Sequence, residues 1–229
     1  MFFVLYRIKW PCKYFLADRY KYMSQTPSRG RPRQYDPEQA LDAALGEFRR
    51  RGYTATSLDH LSEATKMARP SLYAAFGNKF EIYRKSVGRY ADRTVTRRQQ
   101  ALLDEPSLRK GLADYFALIV EAYTPDDDGP LGCPILTVIS GEAAADPAIR
   151  AELSAALKRT DARFGERLEI AHRRGEIAAD ADAQAIADLL AALQHSLALR
   201  ARAGTERAEL AQIAERAITT ILKAAGNAG

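Results

Sequence analysis

Cysteine and histidine are scarce in this chain, and with them the usual material of cross-links and metal centres. Of 229 residues only two are cysteine (Cys12, Cys133) and three histidine (His60, His172, His195). Two distant cysteines make no disulfide framework and point to a reducing compartment, the cytoplasm. Isolated histidines without clustered cysteines argue against a zinc site, and neither another metal nor a cofactor is expected. No run of about 18 consecutive apolar residues occurs, so no membrane-spanning segment is predicted. Alternation of apolar and polar residues is missing, so no strand is expected. With 14 glycines and 10 prolines the composition is neither collagenous nor disordered. No nucleophile–base pair or carboxylate constellation stands out, so no catalytic residue is assigned. An enzyme using a helical cavity remains only as an alternative.

What is present is apolar content and an uneven charge. Apolar residues make up 47%, enough to bury the cores of one or two domains. Residues 24–100 hold fifteen Lys/Arg against eight Asp/Glu, whereas residues 101–229 hold fourteen against twenty. A basic N-terminal part on an acidic C-terminal body suggests a polyanion-binding module.

The first 23 residues differ from the rest: they hold eight of the twenty aromatics, the only Trp (Trp10) and a single Ala. Their apolar run is too short for a secretory signal, and Pro11 interrupts any amphipathic helix. Their AT-rich codon preference against a GC-rich body, ending at Met23, fits upstream sequence read in frame, and no function is assigned to them. Ser24 to Arg33, with Pro27, Gly30, Pro32 and three arginines, reads as a flexible basic arm.

From Asp36 the pattern is helical. Asp36 caps a helix that Pro37 opens, Leu41, Ala44, Leu45 and Phe48 keep its period, and Gly52 ends it. Thr56 and Ser57 both offer the next N-cap, before Leu58, Leu61 and Ala64. Pro70 opens a third helix, Arg69 to Phe76, ended by Gly77, and Asn78 starts a fourth through Tyr83, Val87, Tyr90 and Val95. Two short helices joined by a tight turn suggest a helix-turn-helix.

The residues say more than the spacing. Gly52-Tyr53-Thr54-Ala55-Thr56-Ser57-Leu58, then Leu61-Ser62-Glu63-Ala64-Thr65, then Arg69-Pro70-Ser71-Leu72-Tyr73-Ala74-Ala75-Phe76-Gly77-Asn78-Lys79 closely resemble the DNA-binding domain of the tetracycline-repressor (TetR) family, over about residues 36 to 83. Two positions depart from the family pattern: Lys66 stands where the turn usually has Gly, and Ala68 where Ser or Asn often begins the recognition helix. Lys66 must then accept the turn with a Cβ, and Ala68 cannot cap by its side chain.

The resemblance implies roles. Thr56 would offer its hydroxyl and backbone N–H to a phosphate, Tyr73 a phenol beside the groove, and Lys79 a point charge. Arg69, Ser71 and Lys66 are the candidates for base edges, Arg69 by bidentate contact to guanine. His60 is expected on the exposed or phosphate side of its helix.

The second half continues as amphipathic helices: Leu108 to Tyr123, a loop at Asp126 to Gly129, a short apolar helix after Cys133-Pro134, then stripes from Ile149 to Leu168, Ile186 to Leu197 and Leu210 to Ile221. By the resemblance, this half holds a ligand cavity, and its last two helices, about 183–203 and 206–224, pair with a second copy, with Leu193 and Ile213 in the seam. Tyr115, Tyr123, Thr137 and His195 are the candidate ligand-binding residues, ordinary core or interface being the other reading of each. Cys133 is expected to be buried and inert.

The expected fold is thus all-α, an N-terminal three-helix helix-turn-helix domain (34–83) behind an extension and arm (1–33), joined to a C-terminal helical ligand-binding and dimerisation domain (84–229). The expected function is a transcriptional regulator, a ligand-released repressor acting as a homodimer on palindromic double-stranded operator DNA. Its partners are then that DNA and a small-molecule effector, and no membrane.

Overall fold

The computed structural model describes residues 35–125 and 131–226. The arm, the N-terminal extension and the loop at Asp126 to Gly129 fall outside them. Among the described residues there are nine α-helices, one short 3-10 helix and no strand. The helices are α1 (Pro37–Arg51), α2 (Leu58–Thr65), α3 (Arg69–Phe76), α4 (Lys79–Leu103), α5 (Leu108–Tyr123), α6 (Leu136–Ile139), α7 (Pro147–Arg173), α8 (Ala183–Arg202) and α9 (Arg207–Ala224); the 3-10 helix is Glu142–Ala144.

Caps place most of the boundaries. Asp36 accepts from the Glu38 N–H at 2.8 Å, Pro37 occupies the first turn, and Gly52 ends α1 at φ 82°. Asn78 accepts from the Glu81 N–H at the start of α4, and Asp146 and Asp182 do the same for α7 and α8. Ser57, not Thr56, caps α2: its Oγ accepts from the His60 N–H at 3.1 Å, and His60 Nδ1 accepts the Ser57 N–H in return. Ala68 caps α3 with no side-chain hydrogen bond.

Two apolar cores form. The first joins Ala44, Leu45 and Phe48 of α1 with Leu61, Leu72, Phe76, Ile82 and Tyr83, and also takes in Val138, Ile139 and Ile149 from the second half. Phe48 meets Tyr83 edge-on at 5.4 Å. The second core gathers Leu102 with the inner faces of α5, α7, α8 and α9. Helix α4 runs through both, so the sequence boundary at 83/84 falls inside one continuous helix.

The two ends of the fold are tied by polar contacts to backbone. Arg49 of α1 donates to the carbonyls of Ala122 and Gly132 at 2.9 and 3.0 Å. Arg202, the last residue of α8, donates to the carbonyls of Arg49 and Arg50 in the last turn of α1. Gly132, at φ 72°, is required here: a Cβ would collide with the carbonyl of Ala198.

Of the two seam residues expected from sequence, Leu193 needs correction: it is only 9% exposed and belongs to the second core of its own chain. Ile213 is half-buried against that core and keeps part of its surface outside. The uncovered leucines of α8 are Leu189 and Leu199, each 55% exposed.

Lys66 is the one non-glycine with positive φ among the described residues, at φ 55° and ψ 29°. A left-handed β-carbon costs about 1–2 kcal/mol, partly offset by the backbone entropy a glycine would lose. Lys66→Gly should therefore stabilise the fold by about 1 kcal/mol, raising the melting temperature by about 2–4 °C in calorimetry.

Candidate nucleic-acid interface and effector compartment

The α2–turn–α3 unit rests on buried Leu61, Met67, Leu72 and Phe76. The turn is closed by the Met67 N–H bonding the Ser62 carbonyl at 3.2 Å and by Ser62 Oγ donating to the Met67 carbonyl at 2.5 Å. The side chains left outside are Ser57, Asp59, Glu63, Lys66, Ala68, Arg69, Pro70, Ser71, Tyr73 and Ala74. Five of the six residues named from sequence for DNA are thereby set on or beside one short unit, while Thr56 is not available.

Thr56 is fully buried. Its hydroxyl donates to the Gly52 carbonyl at 2.7 Å and its N–H to the Tyr53 carbonyl at 3.3 Å, so both donors are already engaged in the α1–α2 turn. The neighbouring Ser57 is exposed, and its oxygen accepts the His60 N–H while its own proton can still be donated. Lys66 and Ser71 are exposed, and Tyr73 is 47% exposed.

Arg69 is exposed but engaged: Nε donates to Asp59 Oδ1 at 2.6 Å, and Nη2 to the same oxygen. The guanidinium holds the Asp59 carboxyl below its ordinary range. Asp59 escaped the sequence reading; its place in the first turn of α2 was the only available signal. Lys79, the first residue of α4, is half-buried. Its ammonium lies 3.3 Å from the Thr54 carbonyl and 4.6 Å from the centre of the Tyr53 ring. Burial pushes its pKa down, and Glu142 opposes the shift. Glu142 in turn accepts from the Thr54 hydroxyl at 2.6 Å and from its N–H at 3.2 Å, tying the α1–α2 turn to the second half.

The four ligand candidates do not meet around one described cavity. Tyr115 is buried; its hydroxyl donates to Gln194 Oε1 at 2.7 Å and accepts from Arg163 Nη1 at 3.0 Å. Tyr123 is buried, and burial pushes its phenol well above the ordinary range. Thr137 donates to the Cys133 carbonyl at 2.6 Å, a bond that organises the approach to α6. Half-buried His195 has its imidazole pKa lowered by burial, opposed by Asp161. A cavity of about 320 Å³ lies instead between α5 and α9, against Phe116, Val120, Ala214 and Ile218. A second, of about 220 Å³, touches Asp42, Arg49, Arg93 and Leu131. Cys133 is half-buried and carries no disulfide. Among the described residues no helix is long and apolar enough to cross a membrane, and no three metal-ligating side chains cluster.

Comparison with known proteins agrees with this architecture. Residues 40–85 match the model of bacterial regulatory proteins of the tetR family, and residues 110–218 match the tetracyclin repressor-like C-terminal domain. The chain is 36% identical over 191 residues to the HTH-type transcriptional repressor ComR of Escherichia coli (strain K12), covering 82% of this chain and 89% of ComR. It is 28% identical over 206 residues to the HTH-type transcriptional repressor BdcR of the same strain, covering 89% and 98%. Among solved structures, a cysteine variant of the TetR family regulator CifR complexed with 26-base-pair operator DNA aligns with a TM-score of 0.75 at 33% identity, covering 83% of this chain and 98% of that one. These similarities are to regulators, and the enzyme alternative finds no support in them. Matched by family models at both ends and by a full-length relative, the chain belongs to the TetR family of bacterial transcriptional regulators.

Proposed function

We propose that this protein is a cytoplasmic, dimeric repressor that holds a palindromic operator through α2 and α3 and releases it when a small molecule occupies the helical bundle of α4, α5, α7 and α8. The observation that carries this reading is the uncovered face of α2–turn–α3, with Lys66, Arg69, Ser71 and Tyr73 exposed over a rigid apolar base. That ComR and BdcR are repressors, and that CifR was solved on operator DNA, supports it. Residues 34–83 act as the DNA-binding part, preceded by the arm and extension of 1–33, and residues 84–229 as the effector-binding and dimerisation part. Ser57, Tyr73 and Lys79 grip phosphates; Arg69, Ser71 and Lys66 meet base edges. The dimer seam is the uncovered face of α8 beside α9.

Fluorescence anisotropy on the DNA flanking the protein's own gene tests the reading; affinity no better than for scrambled duplex would refute it. Two variants separate grip from reading. Lys79→Ala should weaken operator and scrambled DNA alike and flatten the salt dependence by roughly one unit per subunit. Arg69→Ala alone would also bare the Asp59 carboxylate toward the phosphates, so its comparison is made in an Asp59→Asn background. There, losing Arg69 should cost about 1–3 kcal/mol per half-site on the operator and little on scrambled DNA.

A further inference from the structure

On α4 and α7 most arginines have acidic partners. Arg89 and Arg93 share Asp42, Arg97 reaches Glu121 at 3.9 Å, Arg159 reaches Glu152 at 3.7 Å, and Arg167 reaches Glu176 at 3.2 Å. Arg150 donates instead to the carbonyls of Ala143 and Ala144, and two further arginines bond to tyrosine. Arg98 on α4 donates to the Tyr90 hydroxyl at 2.9 Å, with its Cζ 5.5 Å from the centre of the same ring. Arg163 on α7 donates to the Tyr115 hydroxyl at 3.0 Å, with its Cζ 6.0 Å from that ring. Among the described residues neither forms an ion pair, although residues 101–229 carry twenty carboxylate side chains.

Both guanidiniums flank the second core. Tyr115, which bonds to Arg163, belongs to that core, and so does Leu102, one helical turn beyond Arg98 on α4. Gln194 of α8 accepts from Tyr115 and completes the ring of helices. Phenols cannot neutralise these cations: burial keeps the Tyr123 hydroxyl protonated. Tyrosine hydroxyls and ring faces satisfy geometry, but two half-buried positive charges remain without a counter-charge. The adjoining wall is aromatic, Phe164 standing edge-on to Tyr115 at 5.4 Å and stacked on Phe116 at 5.9 Å.

We propose that Arg98 and Arg163, with the hydroxyls of Tyr90 and Tyr115 and the amide of Gln194, form a recognition site for a small organic carboxylate with an apolar, preferably aromatic, body. The proposal rests on the effector-binding role given above to this bundle and names the chemistry of the effector. The carboxylate supplies the missing negative charge, and an arginine fork fits its two oxygens. The route to DNA is short, because the Tyr90 ring that faces Arg98 also lies 5.9 Å from Arg49, the residue that fastens α1 to Ala122 and Gly132.

Calorimetric titration of the full chain with benzoate, octanoate and uncharged benzamide tests this. Benzoate should bind saturably and at least about tenfold more tightly than benzamide, the size expected for a charge-assisted hydrogen bond. Arg98→Gln and Arg163→Gln should each weaken benzoate about tenfold, Arg98→Lys should lose less, and Arg97→Gln, on the exposed side, should change nothing. Equal binding of benzoate and benzamide, no saturable binding of either carboxylate, or binding indifferent to both Gln variants overturns the proposal. Operator affinity is measured in parallel. Benzoate bound at Arg98 with no loss of operator binding leaves the site standing and refutes ligand release; operator release that survives both Gln variants refutes the site.

Discussion

Glutamate in place of Leu189 or Leu199 should dissociate the dimer and, with it, abolish tight operator binding. Both leucines are more than half exposed on α8, and Ala185, Ala192, Ser196 and Ala203 continue the same stripe without a charge. Burying one leucine contributes about 1.5–3 kcal/mol, and a two-fold seam repeats it. Losing that burial in both copies costs about 3–6 kcal/mol, a factor of at least about a hundred in dimer dissociation, before the desolvation of two carboxylates is added. Sedimentation should find monomers at micromolar concentration with undiminished helicity. Leu193→Glu should unfold the subunit instead, because that side chain is part of its own core. Dimers surviving both Leu189→Glu and Leu199→Glu would move the seam elsewhere.

Removing Glu176 should be the most damaging single change far from DNA. Arg167 is fully buried, and its Nη1 and Nη2 meet the two Glu176 oxygens at 3.2 Å each. Glu176 also accepts from the Leu108 N–H, so one carboxylate joins the end of α7 to the start of α5. Truncating one partner of such a pair strands a charge in the interior, at about 3–5 kcal/mol. Glu176→Ala should therefore lower the melting temperature by roughly 10 °C. Arg167→Met with Glu176→Gln should recover most of this, since no charge is then buried and the amide oxygen still receives the Leu108 N–H. A change of less than about 1 kcal/mol in Glu176→Ala would mean that water reaches Arg167.

Helix order and most boundaries were legible because capping is local: Asp36, Asn78, Gly52 and Gly77 act within a few residues of themselves. The strained turn at Lys66 was legible through the resemblance, which has Gly at that place. Where two adjacent residues had the same chemistry, locality failed. Thr56 and Ser57 both carry hydroxyls, and one residue of register decides which caps and which is buried. The Asp59–Arg69 pair was hidden because ten residues and a turn separate its members, and only the crossing of α2 and α3 brings them together. On α8 the apolar residues from Ile186 to Leu197 span more than one helical face, so spacing could not say which face belonged to the subunit's own core. A choice by residue type could not single out Arg98 and Arg163, because their bonds to tyrosine rather than to an acid are visible only once α4, α5 and α7 have packed.

Arg202 bears on operator choice. By holding the carbonyls of Arg49 and Arg50 near the end of α1, it fixes the proposed DNA-reading part to α8, the helix proposed above as the dimer seam. The separation of the two reading helices is then geared to the tilt of α8 at the seam. Half-sites in such operators lie about one helical turn, 34–36 Å, apart. Two regulators with identical α3 but different links at this point would read the same bases at different spacings, so the length of the palindrome is written in the C-terminal half while its letters are written in the N-terminal half.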